Sequence, residues 1–239
     1  MNWEIIIILI AAALPAYLLG GLNGAIIVGK ALYRKDIRDY GSGNAGLTNF
    51  YRTFGKGGSL LVILIDVIKT ITPVLLGGWL FANSYFEAPP HTDVFTWYLT
   101  FVERFPYMYV NSALFLGQMY AGFFVILGHC FPVYYKFKGG KGVMAIGAIV
   151  IVADWRIALI AWCVFVLVVF ITRYVSLGAI IGSVSIPFIM LILNNNSWGL
   201  AEYVMVTLCV LLVVARHIPN INRLFKGKES KLKFKRSKE

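Results

Sequence analysis

The chain is poor in much of what a soluble enzyme of 239 residues would carry. Only 14% of it is charged, with 11 acids against 22 lysines and arginines. Cysteine occurs three times, as Cys130, Cys163 and Cys209, each in or beside an apolar run, with an odd total and no CxxC pair. That argues against both a disulfide framework and a structural zinc site. The N-terminus has no basic segment before its first apolar run, where Glu4 is the only early charge, so that run reads as a retained span and not a cleaved signal. Nor is there an internal repeat of the kind transporters show.

Apolar residues take the place of what is missing. At 59% hydrophobic and a mean hydropathy of +0.76, the chain falls in the polytopic membrane class. A net charge of +11 would suit nucleic acid on a soluble domain, but the cations cluster beside apolar runs, which membrane topology explains without a nucleic-acid partner. A helix rises about 1.5 Å per residue, and the hydrocarbon core is about 30 Å thick. The predicted spans are 5–29, kinked near Pro15 and Gly20-Gly21, then 59–81, 107–127, 141–153, 157–172, 174–193 and 200–215. The apolar core of the fourth, 143–153, is only about 17 Å long as a helix. Charge parity argues that it crosses all the same, starting inside a glycine-rich loop. Nineteen of the 22 lysines and arginines then lie on one side.

The positive-inside rule gives an all-α protein of seven transmembrane helices, N-terminus outside and C-terminus cytoplasmic, forming one integral-membrane domain over 1–239. The basic tail, 216–239, is cytoplasmic, and its stretch from Lys226 to Glu239 reads as a surface contact with anionic lipid. Residues 83–106, with Pro89-Pro90 and a solvated His91, read as an extramembrane loop. Asp66 and Lys69 share one face of span two and read as a buried ion pair.

A polar island at 128–142 interrupts the apolar pattern, with four glycines, three lysines and His129. Gly139, Gly140 and Gly142 permit positive φ and close backbone approach, so their N–H groups can face an anion while Lys138 or Lys141 supplies charge. This is a phosphate-binding design but not a Walker loop, since Tyr135 and Gly142 stand where a glycine and a Ser or Thr are needed. Two more polar clusters share its side of the membrane, Ser42 to Arg52 and Arg216 to Arg223. Each has a plainer reading: a glycine turn whose Ser42, Asn44 or Thr48 caps the next helix, an interfacial loop anchored by lysines and Tyr134-Tyr135, and ordinary positive-inside arginines. Their convergence at one face suits anionic substrates held next to an acyl region. An organic-phosphate transporter is the competing class, disfavoured by the lack of paired repeats and of charges through consecutive spans.

The three clusters resemble the motifs of the bacterial acyl-phosphate:glycerol-3-phosphate acyltransferases, the PlsY family. GSGNxGxTNxxRxxG is matched by Gly41 to Gly55, GHxFPxxxxFKGGKGV by Gly128 to Val143, and RHxxNIxRLxxGxE by Arg216 to Glu229. The chain departs from the family pattern at Ala45, Leu47, Thr70 and Met144-Ala145. The resemblance implies a membrane enzyme that moves a fatty acyl group from acyl phosphate to the sn-1 hydroxyl of glycerol 3-phosphate, making lysophosphatidic acid and inorganic phosphate. It would need no metal or cofactor and act as a monomer in the bacterial inner membrane, with its site facing the cytoplasm.

On this reading Gly139, Gly140 and Gly142, with Lys138 or Lys141, hold the acyl phosphate. Ser42, Asn44, Arg52, His217 and Asn220 hold glycerol 3-phosphate, and Gly43, Asn49 and Arg223 complete the substrate-binding set. His129 is the first candidate for general base and His217 its competitor, with a substrate phosphate oxygen as a third acceptor. The sequence does not rank the two histidines.

Overall fold

The computed structural model describes residues 3–84, 108–193 and 198–232. Beyond Ser84, the predicted outer loop with His91 lies outside the described residues, as do the asparagine run at 194–196 and the tail past residue 232. All regular structure among the described residues is helical: α1 (Trp3–Gly21), α2 (Gly24–Tyr33), α3 (Leu47–Phe54), α4 (Lys56–Ser84), α5 (Met108–Cys130), α6 (Val143–Ala153), α7 (Trp155–Thr172), α8 (Val175–Leu193), α9 (Leu200–Arg216) and α10 (Ile218–Phe225), with two short 3-10 turns.

Five stretches are long and apolar enough to cross a membrane: Trp3–Tyr33, Lys56–Asn83, Ser112–Tyr135, Trp155–Thr172 and Val175–Leu193. The pair α9 and α10, bent by 55°, makes a sixth if taken as one span, and α6 is a shorter apolar helix. Large side chains such as Phe170 and Ile192, 74% and 82% exposed, face outward where hydrocarbon would cover them.

The predicted first span is broken where a kink was expected. α1 ends at Gly21, and Asn23, extended at φ −108°, restarts the chain as the cap of α2 by accepting from the N–H of Ile26. An unpaired carbonyl left by such a break is expensive in a bilayer; here the Leu22 carbonyl accepts from Lys69. The end of α6 is equally local in cause. Asp154 is extended at φ −157° and caps α7, accepting from the N–H of Arg156 and pairing with its guanidinium at 2.7 Å.

Helices α1, α4 and α5 pack together, α7 pairs with α8, and α9 lies against α5 and α8. Small residues let α7 and α8 approach: a Cβ on Gly178 would stand 3.0 Å from the Phe165 carbonyl oxygen, and one on Gly182 3.1 Å from Phe165 Cβ. Contact of this kind, not hydrophobic exclusion, drives helix association in lipid.

Candidate active site

The glycine-lysine island folds back onto the end of α5. The Gly140 N–H donates to the His129 carbonyl at 3.0 Å, and the Gly140 carbonyl accepts from Arg216 Nε of α9 at 3.2 Å. Gly142, at φ +82°, takes the left-handed turn that starts α6, and no side chain caps that helix. Uncapped N–H groups in a first turn, reinforced by the helix dipole, suit an anion. α3 also begins without a side-chain cap, from Gly46, so the expected capping by Ser42, Asn44 or Thr48 does not occur.

A cavity of about 640 Å³ lies where the three motif loops meet. Ser42, Asn44, Asn49 and Arg52 reach it from the first motif, His129, Lys141 and Gly142 from the second, and His217, Asn220 and Arg223 from the third. An adjoining cleft of about 1100 Å³ is lined by Gly43, Lys138 and Gly139 and shares Ser42, Asn44, Lys141, Asn220 and Arg223 with the cavity. Lys138 is exposed on the cleft side, so of the two lysines Lys141 is the one inside. Gly140 is buried under the loop, where a Cβ would run into the His129 ring.

Lys141 Nζ donates to Asn220 Oδ1 at 2.6 Å. Burial pushes its pKa down to about 8, helped by Arg223, Arg216 and Arg52 and opposed by the Glu229 carboxylate. Asn220 Nδ2 donates to Glu229 Oε1 at 2.8 Å. An ammonium only donates and a carboxylate only accepts, so the two neighbours fix which way the amide faces. Glu229 also takes Ser176 Oγ at 2.8 Å and Arg223 Nε at 2.7 Å. Its own pKa is lowered: desolvation opposes that, but the hydrogen bonds from Asn220, Arg223 and Ser176 prevail. Arg52 faces the cavity from α3 with no ion pair to another described residue.

Asn49 has a structural part as well. It borders the cavity, but its amide is committed to the loop: Nδ2 donates to the carbonyls of Tyr40 at 2.9 Å and Asn44 at 3.0 Å, and Oδ1 accepts from the Ser42 N–H at 2.9 Å. A buried amide so occupied shapes the loop, its N–H donors being already committed to backbone carbonyls.

The two histidines also part company. His217 Nδ1 lies 2.8 Å from the Val213 carbonyl, whereas His129 Nδ1 lies 2.9 Å from Lys69 Nζ. The sequence pointed to the Asp66–Lys69 pair, found at 3.0 Å and almost fully buried, but not to its contact with His129. Glu229 was visible only as the last acid of the third motif, and Ser176 gave no signal. On its apolar side the cavity continues along Val143, Trp162, Phe165 and Ala179 into a groove floored by Ile146, Gly147 and Val150 of α6 and walled by Ile186 of α8.

An all-helical membrane bundle with a cationic cavity opening onto an apolar groove belongs among proteins that handle an anionic headgroup and an acyl chain together. The family model described as glycerol-3-phosphate acyltransferase matches residues 9–227. The chain belongs to that family, and within it to the PlsY acyltransferases. It is 35% identical to the glycerol-3-phosphate acyltransferase of Thermoanaerobacter pseudethanolicus over 93% of this chain and 95% of the relative. It is 32% identical to that of Staphylococcus aureus over 95% and 98%. Among solved structures it resembles PlsY, an integral membrane glycerol 3-phosphate acyltransferase, in its glycerol 3-phosphate form, with TM-score 0.73, 28% identity and coverage of 94% and 96%. Its lysophosphatidic acid form gives TM-score 0.71, 26% identity and coverage of 94% and 95%.

Proposed function

We propose that this acyltransferase uses acyl phosphate as donor and acylates the sn-1 hydroxyl of glycerol 3-phosphate. The hydroxyl oxygen bonds to the acyl carbon, the bond from that carbon to the bridging phosphate oxygen breaks, and inorganic phosphate leaves with the electron pair. The observation that carries this is the meeting of Lys141, Arg52 and two uncapped helix starts at the mouth of one apolar groove. Two phosphates need cations and N–H donors, and the acyl chain needs a dry channel beside them.

Lys141, Gly142 and the start of α6 hold the acyl phosphate and offset charge developing on the leaving group. Arg52 presents a planar fork suited to the glycerol phosphate, with Ser42, Asn44, Asn220 and Arg223 around it. The Val213 carbonyl accepts the Nδ1 proton of His217. Its Nε2 lone pair is then free to take the hydroxyl proton. Because the donor is already activated, alignment does much of the work and is worth roughly 7 to 11 kcal/mol.

The same reading has seven crossings: the five long stretches, the bent pair, and α6 as a short span. The N-terminus is outside, and the site and the C-terminus face the cytoplasm of a bacterial cell across its inner membrane. One chain supplies every residue assigned, so a monomer suffices. A cysteine at Ser230 should react with membrane-impermeant reagents only from the cytoplasmic side; labelling from outside would overturn the topology.

The reaction is tested with purified protein in lipid, glycerol 3-phosphate, and palmitoyl phosphate or palmitoyl-CoA. Phosphate release and lysophosphatidic acid formation are expected with palmitoyl phosphate alone. Turnover with only the CoA ester would discard the donor, and product from neither would discard the assignment.

A further inference from the structure

Two imidazoles, His129 and His217, line one cavity from different motifs. Their Nδ1 atoms meet partners of opposite chemistry. For His217 the partner is a carbonyl, which only accepts, so Nδ1 carries a proton and, in the neutral ring, Nε2 carries the lone pair.

For His129 the partner is Lys69. Lys69 Nζ contacts Asp66 Oδ1 at 3.0 Å, the Leu22 carbonyl and His129 Nδ1 at 2.9 Å. An ammonium has three N–H donors and no lone pair, and three acceptors surround it. Asp66, 3% exposed beside Lys69 at 4%, favours the charged amine, since a neutral one would strand a buried carboxylate. His129 Nδ1 is therefore the unprotonated nitrogen, and the ring proton sits on Nε2. That atom faces Gly140, where a Cβ would run into it. The Asp66 carboxylate accepts also from the Gly24 N–H at 3.2 Å, so the unit is pinned to the break between α1 and α2.

We propose that Asp66 and Lys69 are positioning residues that hold His129 as an Nε2–H donor. His129 then steadies negative charge on a substrate oxygen beside the Gly140 loop and does not remove the hydroxyl proton. The cavity thus carries one imidazole that gives a hydrogen bond, His129, and one that accepts a proton, His217. The proposal rests on the acyl-transfer reading above for its kinetic consequences but not for its tautomers.

The full chain, with 15N-labelled histidine, is reconstituted in lipid nanodiscs and its imidazole nitrogens are recorded by NMR. Signals are assigned by loss in His129→Gln and His217→Gln. Protonated Nε2 at His129 and protonated Nδ1 at His217 are expected; Nδ1–H or an imidazolium at His129 would overturn the proposal whatever the activity.

The double variant Asp66→Asn/Lys69→Met removes both buried charges together. Its kcat should fall about 100-fold, the size of effect seen when one transition-state donor is lost, with KM for glycerol 3-phosphate little changed and His129 showing both tautomers. A merely structural pair would lower thermal stability and leave kcat and the tautomer of the surviving folded protein as they were, which would also overturn it. His129→Gln, whose amide can still donate, should keep at least about tenfold more kcat than His129→Ala; equal loss in both would point to a base. Wild-type turnover with palmitoyl phosphate is the control. If it fails while the tautomers are as stated, the donor assignment is wrong and the positioning unit stands.

Discussion

If Lys141 must be charged to hold acyl phosphate, its environment dictates an alkaline limit on activity. Its folded pKa is lowered to about 8 by burial and by Arg223, Arg216 and Arg52, with Glu229 opposing and His217 also near. The charged form is the lower-pH form, so activity is full well below the pKa and lost as pH rises through it. For the free enzyme, kcat/KM should be about half its plateau near pH 8 and about a tenth near pH 9. Substrate phosphates do not set this limb, because their second ionisation lies near pH 6. With both phosphates bound beside the ammonium, opposite charge favours the protonated form, so the limb in kcat should lie at higher pH than the limb in kcat/KM. Lys141→Arg, charged at every accessible pH, should be slower but lose the limb. The assay is initial phosphate release in proteoliposomes from about pH 6 to 9.5, with protein-free hydrolysis of the acyl phosphate subtracted. A wild-type kcat/KM flat across that range, or an unchanged limb in Lys141→Arg, refutes the reasoning.

Replacing Arg52 by Lys keeps the charge but removes the fork, and KM for glycerol 3-phosphate should rise about tenfold or more without loss of membrane insertion. Glu229→Gln removes the carboxylate that pairs with Arg223 and loosens the hold on Asn220 Nδ2, so kcat/KM should fall. The alkaline limb should also move to lower pH, since Glu229 holds the Lys141 pKa up; a limb that stays put would show that Lys141 does not set it. Gly140→Ala drives a Cβ into His129 and should abolish turnover while the protein still extracts and migrates as the unsubstituted protein does in size-exclusion chromatography. In Gly147→Val the added carbons meet Trp162, whose Cζ2 lies 2.8 Å from an ideal Cβ. Palmitoyl phosphate turnover should suffer more than that of a short-chain acyl phosphate, and equal loss for both would place the acyl chain elsewhere.

Much of this arrangement is legible in the sequence because it is carried by local chemistry. Hydropathy marks the helices, and the glycine-lysine island announces an anion loop before any fold is known. Ser42, Arg52, Lys141, His217 and Asn220 meet in one cavity because each lies in one of the polar segments that join the long apolar helices, where polar residues of such a chain are confined. What is not legible depends on how helices rotate and pair. Lys69 and His129 lie on α4 and α5, and nothing in either segment states that their side chains meet at 2.9 Å. Asn49 looks like a ligand because amides bind phosphates, but the loop's own carbonyls reach it first. The choice between Lys138 and Lys141 turns on which side of a tight loop each projects, a matter of backbone angles that glycine leaves open.

The shortness of α6 has a consequence for how the donor travels. Helix α6 runs over Val143–Ala153, about 17 Å; on the proposed seven-crossing topology the loop before it would dip beneath the level at which full-length spans emerge. A lipid-borne acyl phosphate could then slide sideways between α6, α7 and α8 and present its headgroup to Lys141 with its tail still among the acyl chains of one leaflet. Lifting a palmitoyl chain into water, at about 0.8 kcal/mol per methylene, would require on the order of 10 kcal/mol. On the proposed topology and donor, a sunken floor would avoid that barrier, and the donor concentration that matters would be the two-dimensional density of the leaflet and not solubility.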